Sequence, residues 1–153
     1  MNITLKRTPG IYLVGFMGAG KSTVGRHLAH RLGWSFFDTD AEIEAAVIGQ
    51  HVRWIERGRP AVLALGGGAF SLPGNRLLLE NNGITVWLDC PFELVERRVA
   101  LASHRPLARD PRQFAVLYHA RREAYALAHV RVPIESDDPA GVVEAILTHP
   151  LIL

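Results

Sequence analysis

Residues 11–25 read IYLVGFMGAGKSTVG, and the order of residue types in that stretch decides the fold. IYLVG (11–15) is a continuous apolar run ending in glycine, the pattern of a strand buried on both faces. GFMGAGKS (15–22) fits G-x-x-x-x-G-K-S/T without a mismatch. From Lys21 onward apolar residues recur with a helical period at Val24, Leu28, Ala29 and Leu32, and Gly33 stands where such a helix would stop. Strand, glycine-rich turn and helix form the context this motif requires. At average composition a chance match in a chain of this length is roughly half a per cent, before that context is counted. Backbone N–H groups of Gly15, Gly18, Ala19 and Gly20 would converge on phosphate oxygens, helped by the dipole of the following helix. Lys21 would neutralise the β- and γ-phosphates, the Ser22 hydroxyl would ligate Mg2+, and Thr23 beside it is a further candidate ATP-binding residue. The stretch predicts a site for a nucleoside triphosphate.

Outward from it, strands and helices alternate. SFFD (35–38) reads as a second strand, and Thr39 with Glu42 forms a capping box that opens another helix. AVLAL (61–65) and ITVWL (84–88) are further buried-type runs. Between them lies a helical run, NRLLLE (75–80), for which Asn82-Gly83 reads as a C-terminal cap rather than a hairpin turn. Pro91 opens a helix through about Leu101. SHRPLARDPR (103–112) reads as a mobile loop, a long helix follows from about Gln113 to Leu127, a last strand lies near 129–134 and a closing helix at 139–148. This order predicts an α/β three-layer sandwich with a central five-stranded parallel sheet in one domain, 1–153.

Composition permits this and narrows the partners. The 153 residues are 48% hydrophobic and 21% charged, with a formal net charge of +2. Near-balanced charge without a basic, aromatic-interleaved stripe argues against nucleic acid. The basic residues are 15 Arg and two Lys, Lys6 and Lys21, and most of that arginine reads as solvated surface. Cys90 is the single cysteine, so no intrachain disulfide can form and a cytoplasmic location is expected. MNITLKRTPG (1–10) lacks a signal-peptide pattern, and no apolar run approaches the 18 residues of a membrane span. His27 and His30 could share a helix face but lack a third ligand for a metal.

A second constellation is FDTDAEIE (37–44). Alone, DTD reads as a turn with a helix cap. Beside a phosphate-binding loop, at the carboxyl end of a strand in a parallel sheet, Asp38 and Asp40 become candidate site carboxylates. No NKxD-like guanine motif is present, and the chain is short for a motor.

GFMGAGKSTVG (15–25), FFDTDAEIE (36–44), LALGGGA (63–69), VWLD (86–89) and HRPL (104–107), in this order, resemble shikimate kinase. The resemblance implies a nucleoside-monophosphate-kinase-like fold and transfer of the ATP γ-phosphoryl group to the 3-hydroxyl of shikimate, in aromatic amino-acid biosynthesis. It also implies roles for individual residues. Lys21 and Ser22 are the loop lysine and Mg2+ ligand, and Asp38 helps to hold Mg2+ through water. Asp40 bonds the shikimate hydroxyls and orients or deprotonates the nucleophile. Gly67 and Gly68 meet the substrate with their backbone. Arg105 closes over the phosphates as part of a lid at about 103–114, and Arg98 lies on the adenine side. The family's R-x-x-x-Y pattern falls on Arg121 and Tyr125, and Arg121 would grip the substrate carboxylate. Arg122 stays open as the alternative, because the count from Tyr125 to the next strand is one short. The chain is expected to act as a monomer on a small molecule.

The sequence departs from the family in two places. IGQHVRWIE (48–56) and GRPAVLALGGG (58–68) resemble the two ends of the substrate-binding part, about 39–60, but roughly twenty residues between them are missing, enough for a helix of about 30 Å. The lid is two or three residues short as well. Either the helix is truly absent, or the sequence as written joins stretches between which a segment is left out. The second is the expectation, and a Cα spacing of ~3.8 Å at every step from Trp54 through Pro60 would refute it. Two other functions stay in play: a kinase for another small hydroxy acid such as gluconate, and a catalytically dead nucleotide-binding module.

Overall fold

In the computed structural model the described residues are 10–38, 60–65, 70, 73–80, 83–101, 110–135 and 137–152. They contain five strands, β1 (Gly10–Val14), β2 (Ser35–Asp38), β3 (Ala61–Ala64), β4 (Ile84–Asp89) and β5 (Val130–Pro133). The helices among them are α1 (Lys21–Leu32), α2 (Pro73–Glu80), α3 (Phe92–Leu101), α4 (Pro111–Tyr125) and α5 (Pro139–Leu147). The sheet is parallel throughout, in the order β2-β3-β1-β4-β5. The expected α/β architecture with five parallel strands is therefore what the chain adopts.

The continuous apolar runs explain the sheet. Every residue of β1, β3 and β4 is buried, so both faces of the three central strands are covered and mostly apolar side chains fill them, with Thr85 and Asp89 of β4 as buried polar exceptions. β1 sits in the middle, with Ile11 opposite Val62 on one side and Ile84 on the other. α1 packs on β2 and β3 and against α5, through Val24, Leu28 and Ala29. Because β3 lies on one side of β1 and β4 on the other, the chain order reverses direction at β1. In open parallel sheets that reversal leaves a crevice at the carboxyl ends of the strands, and the 15–20 turn leaves β1 there.

Helix ends follow local chemistry. Gly33 has φ 70°, and the Trp34 N–H donates to the Ala29 carbonyl across 2.9 Å, which closes α1 as its sequence predicts. α4 begins at Pro111, inside the stretch read as loop. Asp110 caps it by accepting from the N–H groups of Arg112 (3.1 Å) and Gln113 (3.3 Å), with Pro111 in the first turn. Asp138 and Pro139 repeat the device for α5. Gly83 serves a different end from the cap assigned to Asn82-Gly83. A Cβ on it would lie 2.3 Å from the Gly10 carbonyl oxygen and 2.7 Å from the Tyr12 ring, so close approach of β4 to β1 excludes a side chain. Asn82 itself lies outside the described residues, as do the Thr39 capping box and the 54–59 stretch where the missing segment was located.

Candidate active site

The turn after β1 is shaped by its glycines. Gly18 and Gly20 have φ of 80° and 93°, values that strain any residue with a Cβ, and Gly20 hands the chain directly into α1. The Val24 N–H donates to the Gly20 carbonyl (2.9 Å), so the free N–H groups of the first helical turn point back over the loop. No acidic residue occupies that first turn, which leaves the positive end of the helix dipole available to an anion. Lys21 reaches back across the loop, and its Nζ donates to the carbonyls of Gly15 (2.7 Å) and Phe16 (3.0 Å). Its ammonium group thus lies against the loop backbone that would cradle phosphates.

β2 delivers its last residue to the same place. Ser22 Oγ donates to Asp38 Oδ2 across 2.5 Å, bringing together the two residues assigned to metal binding. A hydroxyl and a carboxylate, both hard oxygen donors at a phosphate loop, fit Mg2+ rather than a softer metal. Ala19 is buried beneath the turn, while Thr23 is exposed on the outer side of α1.

On the other flank Arg98, from α3, donates to the Gly18 carbonyl with Nη1 (2.8 Å) and to Asp137 Oδ1 with Nη2 (2.6 Å) and Nε (3.2 Å). It ties the loop to the connection between β5 and α5, and its hydrogen bond holds the Asp137 carboxyl below the ordinary range. Arg98 therefore lies against the phosphate loop, on the flank formed by α3 and that connection.

The structure separates the two candidate arginines of α4. Arg122 forks onto Asp89, with Nη1 to Oδ1 at 2.5 Å and Nη2 to Oδ2 at 3.2 Å. It lies over the Trp87 ring at 4.9 Å and also donates to the Tyr118 hydroxyl at 3.1 Å. Arg131 Nε takes the other side of Oδ2 at 2.8 Å. Burial works against the charge on Asp89, but the hydrogen bonds of the two arginines outweigh it and hold its carboxyl below the usual value. Arg121 instead lies beside the hydroxyl of buried Tyr125, whose phenol burial pushes up. Among the described residues Arg121 has no carboxylate partner. Asp40, Gly67, Gly68 and Arg105 lie outside the described residues.

Asp89, Tyr118 and Asp137 were not singled out as site residues from sequence. The only signal for Asp89 was an acid closing an otherwise apolar strand. Tyr118 and Arg122 could have been paired by their four-residue spacing on one helix.

A parallel α/β sheet with a glycine loop, lysine and serine at the carboxyl end of its central strand, faced by an acid from the next strand but one, defines a P-loop nucleotide-binding protein. The family model described as shikimate kinase matches residues 17–59 and 49–149. The chain is 42% identical to the shikimate kinase of Caulobacter vibrioides, over 93% of this chain and 82% of that protein. It is 37% identical to that of Persephonella marina, over 90% and 96%. A solved structure of the Acinetobacter baumannii shikimate kinase in complex with shikimate superimposes with a TM-score of 0.74 at 32% identity, covering 91% of this chain and 90% of that one. The chain belongs to the shikimate kinase family. The Caulobacter alignment spans 165 positions, more than the 153 residues here, so that relative carries residues with no counterpart in this chain. The two pieces of the family match overlap at 49–59, beside the place where the sequence reads short.

Proposed function

We infer that the chain transfers the γ-phosphoryl group of ATP to the 3-hydroxyl of shikimate. Membership of the family supports ATP-dependent shikimate phosphorylation over a gluconate-type acceptor or an inactive module. The observation that carries the chemistry is the contact of Ser22 with Asp38 under the phosphate loop. Phosphoryl transfer asks the protein mainly for positioning and charge neutralisation. The loop N–H groups and Lys21 hold the β- and γ-phosphates. Ser22, with Asp38 acting through water, would hold Mg2+, which when bound offsets phosphate charge. Arg98 flanks the nucleotide on the α3 side.

On the acceptor side, Arg121 receives the shikimate carboxylate. Support comes from Arg122 being committed to Asp89, while Arg121 has no carboxylate partner among the described residues. Asp40 orients the 3-hydroxyl and takes its proton, and the backbone at Gly67 and Gly68 borders the ring. Arg105, in a lid at about 103–114, closes over the phosphates and excludes water. The acceptor part, about 39–60, is shorter than in relatives, in keeping with the longer Caulobacter alignment. We take the enzyme to act as a cytoplasmic monomer without nucleic acid. Among the described residues no helix is long and apolar enough to cross a membrane. Phosphorus NMR of a reaction with ATP, Mg2+ and shikimate tests this reading. A phosphomonoester on the 3-hydroxyl is expected, and its absence under active ATP binding would contradict it.

A further inference from the structure

We propose that Asp89 is a positioning residue for the acceptor, acting through Arg122 to set the rotation of α4 and so the aim of Arg121. The proposal rests on the reading that Arg121 receives the shikimate carboxylate.

Asp89 is the last residue of β4, and only 6% of its side chain is exposed. A carboxylate so placed needs compensation, and it comes from two directions, α4 through Arg122 and β5 through Arg131. The Arg122 contact is a fork of two nitrogens on two oxygens, which fixes orientation as well as distance. An apolar pair of similar volume could hold a helix to a sheet at least as tightly. What the fork adds is direction.

The same helix face makes further contacts in this corner. The Tyr118 hydroxyl, one turn before Arg122, donates to the Cys90 carbonyl just beyond β4 at 2.5 Å. The Tyr118 ring meets Phe16 of the phosphate loop edge-on, with centroids 5.3 Å apart. Tyr125, on the following turn, lies against Trp87, whose ring also carries Arg122. Phe16, Tyr118, Arg122 and Asp89 thus form one run of contacts from the phosphate loop to α4. Arg121 is one residue away, about 100° around the helix. Whatever sets the rotation of the Tyr118–Arg122–Tyr125 face therefore sets where Arg121 points relative to the loop. Asp89 is the charged anchor of that face.

The test compares four variants of the full-length enzyme in steady state, with both substrates varied and melting temperature recorded. Asp89→Asn keeps the shape but loses the charge, and Arg122→Lys keeps the charge but loses the fork. Each is expected to raise KM for shikimate about tenfold, with KM for ATP changed less than about twofold, as misplacement of a positioning group does. The double variant is expected to be no worse than either single one, because both remove one contact. Arg121→Met is expected to raise KM for shikimate further, by about a hundredfold. A lower melting temperature or active fraction with both KM values unchanged in Asp89→Asn and Arg122→Lys would overturn the proposal, leaving Asp89 a purely structural anchor. If that happens while Arg121→Met still loses shikimate, the reading of Arg121 stands alone. If Arg121→Met leaves KM for shikimate unchanged, the reading fails and takes the positioning role with it.

Discussion

The Ser22 hydroxyl donates to the Asp38 carboxylate across 2.5 Å, joining the first turn of α1 to the last residue of β2. These residues are 16 apart in sequence, and they meet because α1 returns the chain to pair β2 beside β3, which in turn lies beside β1. If this pair holds Mg2+, removing either partner weakens the same site. Ser22→Ala and Asp38→Asn are each expected to lower kcat by at least about a hundredfold and to raise the Mg2+ concentration for half-maximal rate, with the double variant little worse. A Mg2+ titration of the rate checks this. Unchanged Mg2+ dependence in both variants would remove the pair from the metal site.

Arg98 supports the loop by a hydrogen bond from Nη1 to the Gly18 carbonyl and is itself held by Asp137. Arg98→Met is expected to raise KM for ATP by about tenfold, the loss of one charged hydrogen bond, while KM for shikimate stays within about twofold. Equal changes for both substrates would mean that the loop has collapsed rather than lost a flank.

Much of this architecture was legible locally. The buried runs at 11–15, 61–65 and 84–88 and the glycine at Gly33 each carry their structural meaning in neighbouring residues. The start of α4 at Asp110-Pro111 carries a local signal as well, a cap and a first-turn proline, but the prolines and polar residues of 103–112 give that whole stretch a loop's composition and mask it. The choice between Arg121 and Arg122 was not legible. One position is a rotation of about 100° on a helix, and the acid that engages Arg122, Asp89, lies 33 residues away from it. Gly83 is similar: its reason is the Gly10 carbonyl on another strand.

Acid stability should report on Asp89. Burial works against its charge, but Arg122 and Arg131 hold its carboxyl below the ordinary carboxylate range in the folded protein. A depressed folded pKa gives stability that is fully present above the unfolded value and is lost as pH falls through the folded one. Asp89→Asn is therefore expected to cost on the order of 2 kcal/mol near neutral pH, allowing for the partial exposure of both arginines, and progressively less as pH falls below the ordinary carboxylate range. Urea unfolding over a series of pH values from neutral into acid measures it. A cost that does not shrink in acid would show that the charge is not the source.

Tyr118→Phe removes the hydroxyl that donates to the Cys90 carbonyl and accepts from Arg122. With the Cys90 carbonyl left unsatisfied in a buried setting, about 1–2 kcal/mol of stability should go. Denaturant titration would show it as a shifted midpoint at unchanged slope.

The central claim is that the acceptor is shikimate, and acceptor-dependent release of ADP tests it most directly. Purified full-length enzyme with ATP and Mg2+ is assayed with shikimate, with gluconate and with no acceptor. Turnover stimulated by shikimate alone, and abolished by Asp40→Asn with ATP binding retained, is the predicted result. Stimulation by gluconate instead, or the same slow ADP release in all three, would contradict it.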